Sequence, residues 1–190
     1  MTTPDDQAIA ICTSNEGKRA ECERILGVPL VSMPAEIDEI QHIDPEVVCR
    51  EKARRAFELL GRPVIVDDTG FGLAALGGFP GALVTWATEA GGNEILHRML
   101  PEGASADAEV VTAIGFAEAT GVHVFVGRGR GTVLAQPRGS QGFGFDDVFV
   151  PEGETRTLAE MDGASKDAIS PRGKALALFA TLLRTRAGKA

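Results

Sequence analysis

The sequence has little positive charge and no long apolar stretch, and these shortages exclude several classes of protein. Lysine and arginine number 19 against 27 aspartate and glutamate residues, so the net charge is −8. An acidic surface has no basic field to attract nucleic acid or an anionic membrane, and we expect neither as a partner. No apolar run approaches the roughly 20 residues of a membrane-spanning helix, and the acidic first residues, MTTPDDQ, are unlike a signal peptide.

Cysteine and histidine are also scarce, which argues against a disulfide framework and against a zinc site. The three cysteines form an odd count with no CxxC pair, a pattern typical of reduced thiols in a cytoplasmic protein. The three histidines are scattered, without HxxxH or HxH spacing. We therefore expect a cytoplasmic protein that binds no zinc.

The length and composition indicate one globular domain. A chain of 190 residues is long for one compact domain and short for two, so we expect a single domain with two lobes over residues 1–190. Hydrophobic residues make up 44% of the chain, and the mean hydropathy is +0.02, as in globular proteins with a substantial core.

Strand and helix patterns alternate at both ends of the chain, whereas the middle has the pattern of antiparallel strands. One predicted helix, over 16–26, is followed by Gly27; another starts after Asp44 with Pro45 and stops at Gly61. The predicted strands are 8–13, 28–33, 64–66, 110–117, 122–127, 132–135 and 148–150; further helices cover 94–100 and the segment from Pro171, with Leu176, Phe179 and Leu183 inward. This pattern predicts an α/β fold with a mixed sheet.

Two adjacent carboxylates, Asp67 and Asp68, follow the β-branched run 64–66 and precede a Thr-Gly turn. Acids at the carboxyl end of a buried strand are typical of a metal or catalytic site in an open α/β sheet. Because side chains alternate along a strand, only one acid can face the site, and we expect it to be Asp68, which adjoins the turn. The alternative is that both acids are solvated or cap the turn.

The segment 13–18, TSNEGK, has the side chains of a phosphate-binding loop at the start of a helix. Thr13, Ser14 and Asn15 provide hydroxyl and amide groups, and Lys18 provides a cation where the helix dipole favours anions. The segment is not a P-loop, which would require glycine at position 12 and serine or threonine at position 19. The alternative is a well-capped helix with a surface lysine.

An acidic segment, EIDEIQ over 36–41, is a second source of metal ligands. Alternation places Ile37 and Glu39 on one side of an extended chain, so one acid of this segment could join Asp68 around a cation. Mg²⁺ takes one or two protein carboxylates and completes its octahedron with water and phosphate oxygens. The alternative is a solvated acidic loop.

A glycine-rich segment, GSQGFGFDD over 139–147, has the composition of a binding site for a flat ligand. Glycines allow the backbone to approach such a ligand, and an aromatic ring can stack on a base, which contributes about 1–3 kcal/mol. Asp146 can accept a hydrogen bond from a sugar hydroxyl or a ring N–H. The alternative is a glycine-rich turn with phenylalanines in the core.

The segment 165–172, SKDAISPR, places Lys166 just before a predicted helix start and Arg172 at it. Cations oppose the helix dipole at this end, so an anionic or electron-rich group nearby would explain them. The alternative is that both side chains are solvated.

Six segments in this order resemble the inosine triphosphate pyrophosphatase family: TSNEGK, EIQ, VDDTG with GGFPG, PRGSQGFGFDD, TLAEM and SKDAISPRGKAL. The resemblance extends from about residue 8 to residue 183. It implies an elongated mixed β-sheet with helices in two lobes around a central active-site cleft, and a homodimer. It also implies Mg²⁺-dependent hydrolysis of noncanonical purine nucleoside triphosphates (ITP, dITP and XTP) to the monophosphate and pyrophosphate, which removes them from the nucleotide pool.

The resemblance also implies roles for individual residues. Glu39 and Asp68 would hold Mg²⁺, and Asp68 would also be the base for the attacking water. Phe145 would occupy the stacking position. The residues implied to bind substrate are Thr13, Ser14, Asn15 and Lys18 at the phosphates, Lys52 as an added cation, Thr69, then Phe143, Gly144, Phe145 and Asp146 at the base, and Lys166 and Arg172 at base and phosphate.

Three positions depart from the family pattern. Pro171 stands where the family has the histidine that helps to read the 6-keto edge of the base. Asp147 replaces a usual proline, and Thr85 replaces a frequent lysine. These departures leave base selectivity open. A related nucleotide pyrophosphatase with a different base preference is one alternative, and a nucleotide-binding protein without turnover is the other.

Overall fold

A seven-stranded sheet with parallel and antiparallel neighbours forms the centre of the computed structural model, which describes residues 9–187. The strand order is β2-β1-β3-β5-β6-β7, and β4 pairs with β3. β1 runs parallel to β2 and β3, and the other pairings are antiparallel. The strands are β1 Ala10–Ile11, β2 Val31–Ser32, β3 Val64–Leu73, β4 Pro80–Gly81, β5 Asp107–Glu118, β6 Gly121–Val133 and β7 Phe149–Pro151. The predicted mixed α/β fold is therefore confirmed.

Six helices accompany this sheet within the described range. They are α1 Glu16–Leu26, α2 Pro45–Leu60, α3 Val84–Gly91, α4 Ile95–Arg98, α5 Gly163–Ile169 and α6 Pro171–Ala187. α2 has its predicted ends: the Asp44 side chain accepts from the backbone N–H of Glu46, and Gly61 ends the helix at a φ of 65°. α3 and α5 are not predicted by the sequence pattern.

Several strand boundaries differ from the prediction. β3 does not end at residue 66 but continues to Leu73, because β5 pairs with it along its whole length, from Val64 opposite Ala117 to Leu73 opposite Ala108. The predicted strand 132–135 is the end of β6. The predicted strand 8–13 contains the short β1, while its first residue, Ala8, lies outside the described residues. Asp67 and Asp68 are thus inside a strand and not at its end.

Separate hydrophobic clusters lie along β3. Near the start of the strand, Val64 and Val66 pack towards α2, whereas Ile65 packs towards α1 and α6 on the opposite face. Near its end, Phe71 and Leu73 pack with α4, β5 and β7. The polar residues 67–69 of β3 therefore lie between these clusters.

α6 packs closely on β6 because β6 has glycine at the point of contact. A Cβ atom at Gly127 would lie 1.9 Å from the carbonyl oxygen of Pro171, so no other residue fits without moving the helix. Further along α6, Leu176 and Phe179 are fully buried in one hydrophobic cluster, and Leu183 packs against that cluster, as predicted. This close contact sets the position of the first turn of α6, which contains Arg172.

No helix within residues 9–187 has the length and apolar character required to cross a bilayer. The three cysteines are free and buried. Burial raises the pKa of the Cys22 thiol to about 12 and raises that of Cys49 as well. The thiolate form that reacts is therefore disfavoured at Cys22 and Cys49.

Candidate active site

The site forms where β1 ends while its neighbour β3 continues. Ile11 pairs with Ile65, and the backbone N–H of Cys12 donates to the Ile65 carbonyl oxygen at 2.9 Å. Beyond this point β3 remains paired with β5, and β4 also pairs with it at Phe71 and Gly72. Ligands of open α/β sheets bind at such positions, outside the carboxyl ends of parallel strands.

Asp67 and Asp68 point to opposite faces of β3, as the alternation predicts. Asp67 is on the face of α1 and α6, where it contacts Lys18 and Arg172. Asp68 is on the face of α2, where burial and the cations of Lys18 and Lys52 act on its carboxyl group. The charge of Lys18 acts to lower the pKa of both acids, so the two faces meet at this edge of β3.

Asp67 is a buried anion whose two carboxylate oxygens both have partners. Lys18 Nζ lies 2.6 Å from its Oδ1, and Arg172 Nε donates to its Oδ2 at 2.8 Å. The Thr69 hydroxyl is 3.5 Å from Oδ1. Burial alone would raise the pKa of Asp67, but Arg172 and Lys18 outweigh it and hold the pKa well below its usual range. Asp67 is therefore ionised at neutral pH and engaged in structure.

Asp68 has the opposite properties. Within residues 9–187, its Oδ2 is the buried side-chain oxygen that has no hydrogen-bond partner. Burial raises the pKa of Asp68 to about 6, although Lys18 and Lys52 act in the other direction. A carboxylate with an unused oxygen and a pKa near neutrality is suited to accept a proton or to bind a cation.

Glu39 and Lys52 lie on the same face as Asp68. Lys52 Nζ is 2.5 Å from Glu39 Oε1 and 3.5 Å from the backbone carbonyl oxygen of Asp67. Burial would lower the pKa of Lys52, but Glu39, Asp68 and Asp67 together outweigh it, so the pKa is raised and the ammonium group is retained. Ile37 packs on the core and the Glu39 side chain is 45% exposed. Glu39, the acid of segment 36–41 that the family resemblance names, therefore lies on the same side of the site as Asp68.

The segment 13–18 forms a capped helix start beside the two acids. Asn15 is the N-cap of α1: its side chain accepts from the Lys18 backbone N–H at 3.0 Å, and its own N–H donates to the Thr13 hydroxyl at 3.1 Å. Ser14 is exposed. The prediction of a well-capped helix is therefore correct, but Lys18 is not a surface lysine, because its side chain reaches inward to Asp67.

Glu21 is a central residue that the sequence analysis does not predict. Its carboxylate accepts from Lys166 Nζ at 2.6 Å and from Arg172 Nη1 at 2.5 Å. Lys166 also reaches Asp146 at 2.6 Å. Glu21 lies one helical turn after Lys18 on α1, and this i, i+3 spacing was the available signal.

These carboxylates explain the two cations of segment 165–172. Lys166 precedes α6, as predicted, and also lies within α5, a helix that was not predicted. Arg172 lies in the first turn of α6, as predicted. Buried charges of both signs alternate without a break between α1, β3, α6 and α5. The sequence of contacts is Lys18, Asp67, Arg172, Glu21, Lys166 and Asp146.

A cavity of about 210 Å³ lies next to this charged chain. The Phe143 ring forms part of its wall and lies under two cations, with Lys166 Nζ 4.7 Å and Arg172 Cζ 5.2 Å from the ring centroid. It also packs on Gly17, where a Cβ atom would come within 2.5 Å of the ring. Phe145 lines the cavity and packs edge-on against Phe71, with ring centroids 5.0 Å apart.

The cavity contains further polar groups, of which the sequence analysis does not predict Thr112. The hydroxyl groups of Thr69 and the buried Thr112 lie 3.1 Å apart at its wall. Burial raises the pKa of Asp146, which also lines the cavity, while Lys166 acts in the other direction. A larger groove, of about 860 Å³, lies on the glycine-rich face of β3, β5 and β6 and is lined by none of the predicted site residues.

The structure therefore gathers the predicted residues into two adjoining groups. Asn15, Lys18 and Thr69 belong to both the group around the acids and the cavity. The group around the acids also contains Thr13, Glu39, Lys52, Asp67 and Asp68. The cavity group contains Phe143, Gly144, Phe145, Asp146, Lys166 and Arg172. None of the contacts described above for residues 9–187 links Ser14 to either group.

The chain is similar to known proteins over most of its length. The model of the Ham1 family matches residues 9–182. A dITP/XTP pyrophosphatase of Methanopyrus kandleri is 38% identical over 176 residues, which cover 90% of this chain and 94% of the relative. An inosine triphosphate pyrophosphatase of Aspergillus oryzae is 38% identical over 181 residues, which cover 93% and 94%.

A solved structure has the same architecture. A HAM1 protein from Coxiella burnetii superposes with a TM-score of 0.80 at 27% identity, and the match covers 94% of this chain and 98% of that protein. The family model spans nearly all of the described residues, from β1 to α6, and so includes both the acid pair and the cavity. The chain therefore belongs to the Ham1 family.

Proposed function

We propose that the protein hydrolyses noncanonical purine nucleoside triphosphates (ITP, dITP and XTP) to the monophosphate and pyrophosphate, and so removes them from the nucleotide pool. The names of the relatives support the substrate class. The observation that carries the proposal is Asp68, a buried carboxylate with an unused oxygen and a pKa of about 6, placed between two lysines. An acid of this kind is suited to activate water beside a polyphosphate.

The two groups of site residues correspond to the two ends of such a substrate. The triphosphate is proposed to lie at the start of α1, against Thr13, Ser14, Asn15 and Lys18, with Lys52 as a further cation. The base is proposed to lie in the cavity, in contact with Phe143, Gly144, Phe145 and Asp146. Thr69 lies between the two ends, and Lys166 and Arg172 border the base.

The residues present fit a divalent cation held by few protein ligands. Asp68 offers its unpaired Oδ2, and Glu39 lies on the same face. The described residues contain no cluster of three or more acidic, histidine or cysteine side chains that could hold a metal, but Mg²⁺ commonly takes one or two carboxylates and fills its other positions with water and phosphate oxygens. We propose Asp68 and Glu39 as the protein ligands of Mg²⁺.

The charge of the site also favours a cation as part of the substrate complex. Four cationic side chains face five carboxylates; they are Lys18, Lys52, Lys166 and Arg172 against Glu21, Glu39, Asp67, Asp68 and Asp146. With every group ionised, the acids outnumber the cations, so the protein alone does not offset the charge of a triphosphate. Mg²⁺ held by Asp68 and Glu39 would supply positive charge beside the leaving pyrophosphate.

In this scheme each protein group has a distinct task. Asp68 accepts the proton of the attacking water, for which its raised pKa is suited. Lys18 and Lys52 stabilise charge that develops on the pyrophosphate. Asp67 neutralises Arg172 and holds Lys18 in position.

The first test is the identity of the released product. We expect pyrophosphate, and not orthophosphate, from inosine triphosphate, and we expect EDTA to abolish the reaction. The measurement is a coupled pyrophosphate assay over inosine, xanthosine, guanosine, adenosine and pyrimidine triphosphates. Orthophosphate as the first product would refute the proposal, and nucleotide binding without any product would favour the alternative of a binding protein without turnover.

Pro171 provides a test of base selectivity. It lines the cavity, and it opens α6, where proline is also a good first residue. A donor to the 6-keto oxygen disfavours adenine, whose amino group is itself a donor. We expect Pro171→His to raise the inosine-over-adenosine ratio of kcat/KM about tenfold, or about 1.4 kcal/mol. An unchanged ratio in a folded, active variant would assign base selection to Phe145 and Asp146 and leave Pro171 as a helix-start residue.

We further propose that the chain is one two-lobed domain that forms a homodimer in the cytoplasm. The proposal of a dimer rests on the family resemblance, and that of the location on the reduced-thiol pattern of the sequence. Light scattering at micromolar concentration should give twice the mass of the 20.0 kDa chain. A monomeric mass would contradict the dimer.

A further inference from the structure

Asn93, between α3 and α4, connects two walls of the proposed base cavity. Its Nδ2 donates to the Gly144 carbonyl oxygen at 2.7 Å and to Asp147 Oδ1 at 2.7 Å. An amide nitrogen has two hydrogens, so both bonds can exist together. The bond to the Asp147 carboxylate is charge-assisted and hence stronger than one between neutral groups.

The wall on the far side of these bonds is a loop without regular secondary structure. Residues 139–148 form turns and bends, and Gly144 at their tip has a φ of 60°, in the left-handed region. On one side the loop is attached to the residues before and after it, through the bonds from Arg138 N to the Asp147 carbonyl oxygen and from Ala159 N to the Asp146 carbonyl oxygen. Asn93 attaches the tip on the other side.

Both connected elements contribute to the cavity lining. α3 provides Val84, Thr85 and Thr88, and the loop provides the four residues 143–146. The two bonds of Asn93 therefore join the residues that follow α3 to the loop, and α3 and the loop both line the cavity.

We infer that Asn93 and Asp147 are positioning residues that hold the loop against the α3–α4 segment and so determine how tightly and how selectively the base is bound. Neither residue is among those that line the cavity. They act on it through Phe145 and Asp146. This inference rests on the proposed function, because it assigns the base to this cavity.

Three substitutions test the inference by steady-state kinetics of pyrophosphate release. Asn93→Leu removes both donors, and Asp147→Ala removes the charged acceptor. For each we expect KM for inosine triphosphate to rise about tenfold while kcat changes less than about threefold, because the phosphate end of the site is unaltered. We also expect the inosine-over-adenosine ratio of kcat/KM to fall. Asp147→Asn retains an acceptor oxygen and should keep KM near the wild-type value.

Amide hydrogen exchange followed by mass spectrometry tests the position of the loop without any need for turnover. Peptides that cover residues 139–148 should exchange faster in Asn93→Leu than in the wild type, while those of β3 and β5 should be unchanged. Arg98→Met is the matched control, because Arg98 bonds the Gly91 carbonyl oxygen within the same α3–α4 segment but does not touch the loop. The control should leave exchange in the loop and KM unchanged.

The outcomes separate the two proposals. Unchanged loop exchange and unchanged KM in Asn93→Leu would overturn the role of Asn93, as would equal losses in Asp147→Asn and Asp147→Ala. Absence of pyrophosphate release in the wild type would overturn the proposed function and with it the role in base selection. The exchange measurement would still decide in that case whether Asn93 holds the loop.

Discussion

Replacement of Asp68 by asparagine is expected to lower kcat at least about a hundredfold while the protein remains folded. Asparagine keeps the shape of the side chain but cannot accept the proton of a water molecule and is a weak ligand for Mg²⁺. Burial raises the pKa of Asp68 to about 6, and its Oδ2 has no hydrogen-bond partner among the described residues. The folded state thus gains little from this charge, so the neutral amide should be tolerated.

The measurement is kcat for inosine triphosphate together with the thermal unfolding midpoint of the same preparation. A midpoint within a few degrees of the wild-type value, with the expected loss of kcat, would assign Asp68 to the chemistry. Activity near the wild-type level in Asp68→Asn would contradict its role as base and metal ligand.

Asp67→Asn is expected to destabilise the fold, in contrast to its neighbour. Asp67 is 2% exposed and pairs with both Lys18 and Arg172. Without its charge, the buried Arg172 retains Glu21 as its one anionic contact among residues 9–187. Removal of one partner from a buried ion pair typically costs about 3–5 kcal/mol. For a chain of this size, 1 kcal/mol corresponds to about 2–4 °C, so the unfolding midpoint should fall by roughly 6 °C or more.

Glu51→Gln is the matched control for this loss of stability. Glu51 also pairs with two arginines, Arg54 and Arg55, but these side chains are accessible to solvent, so the pairs are screened. Its unfolding midpoint should remain close to the wild-type value. A stable Asp67→Asn protein that lost as much kcat as Asp68→Asn would instead make Asp67 the catalytic acid.

Much of the local structure was predictable because its signals lie within a few residues of each other. Asp44, Pro45 and Gly61 mark the ends of α2, and Asn15 caps α1, through bonds between near neighbours in sequence. The alternation along β3 placed Asp67 and Asp68 on opposite faces for the same reason. The segments around Lys18, Asp68, Phe143 and Lys166 were recognisable as candidates for a site because each carries its polar groups together.

Contacts between distant segments determined the rest. β3 continues past the two acids because β5 pairs with it throughout, from Val64 opposite Ala117 to Leu73 opposite Ala108. α3 and α5 are short helices of 8 and 7 residues, whose stability depends on packing and not on propensity. No local pattern contains these partners.

The amino-acid sequence by itself determined the fold class, the chemical groups of the site and the segments that carry them. Only the tertiary structure decided which acid is bound in ion pairs and which has an unused oxygen, because Arg172 lies 105 residues from Asp67. It also assigned Glu21 and Asn93, whose partners are 151 and 54 residues away. The physical reason is that burial and charge pairing, which set the pKa and the position of each group, arise when remote segments pack together.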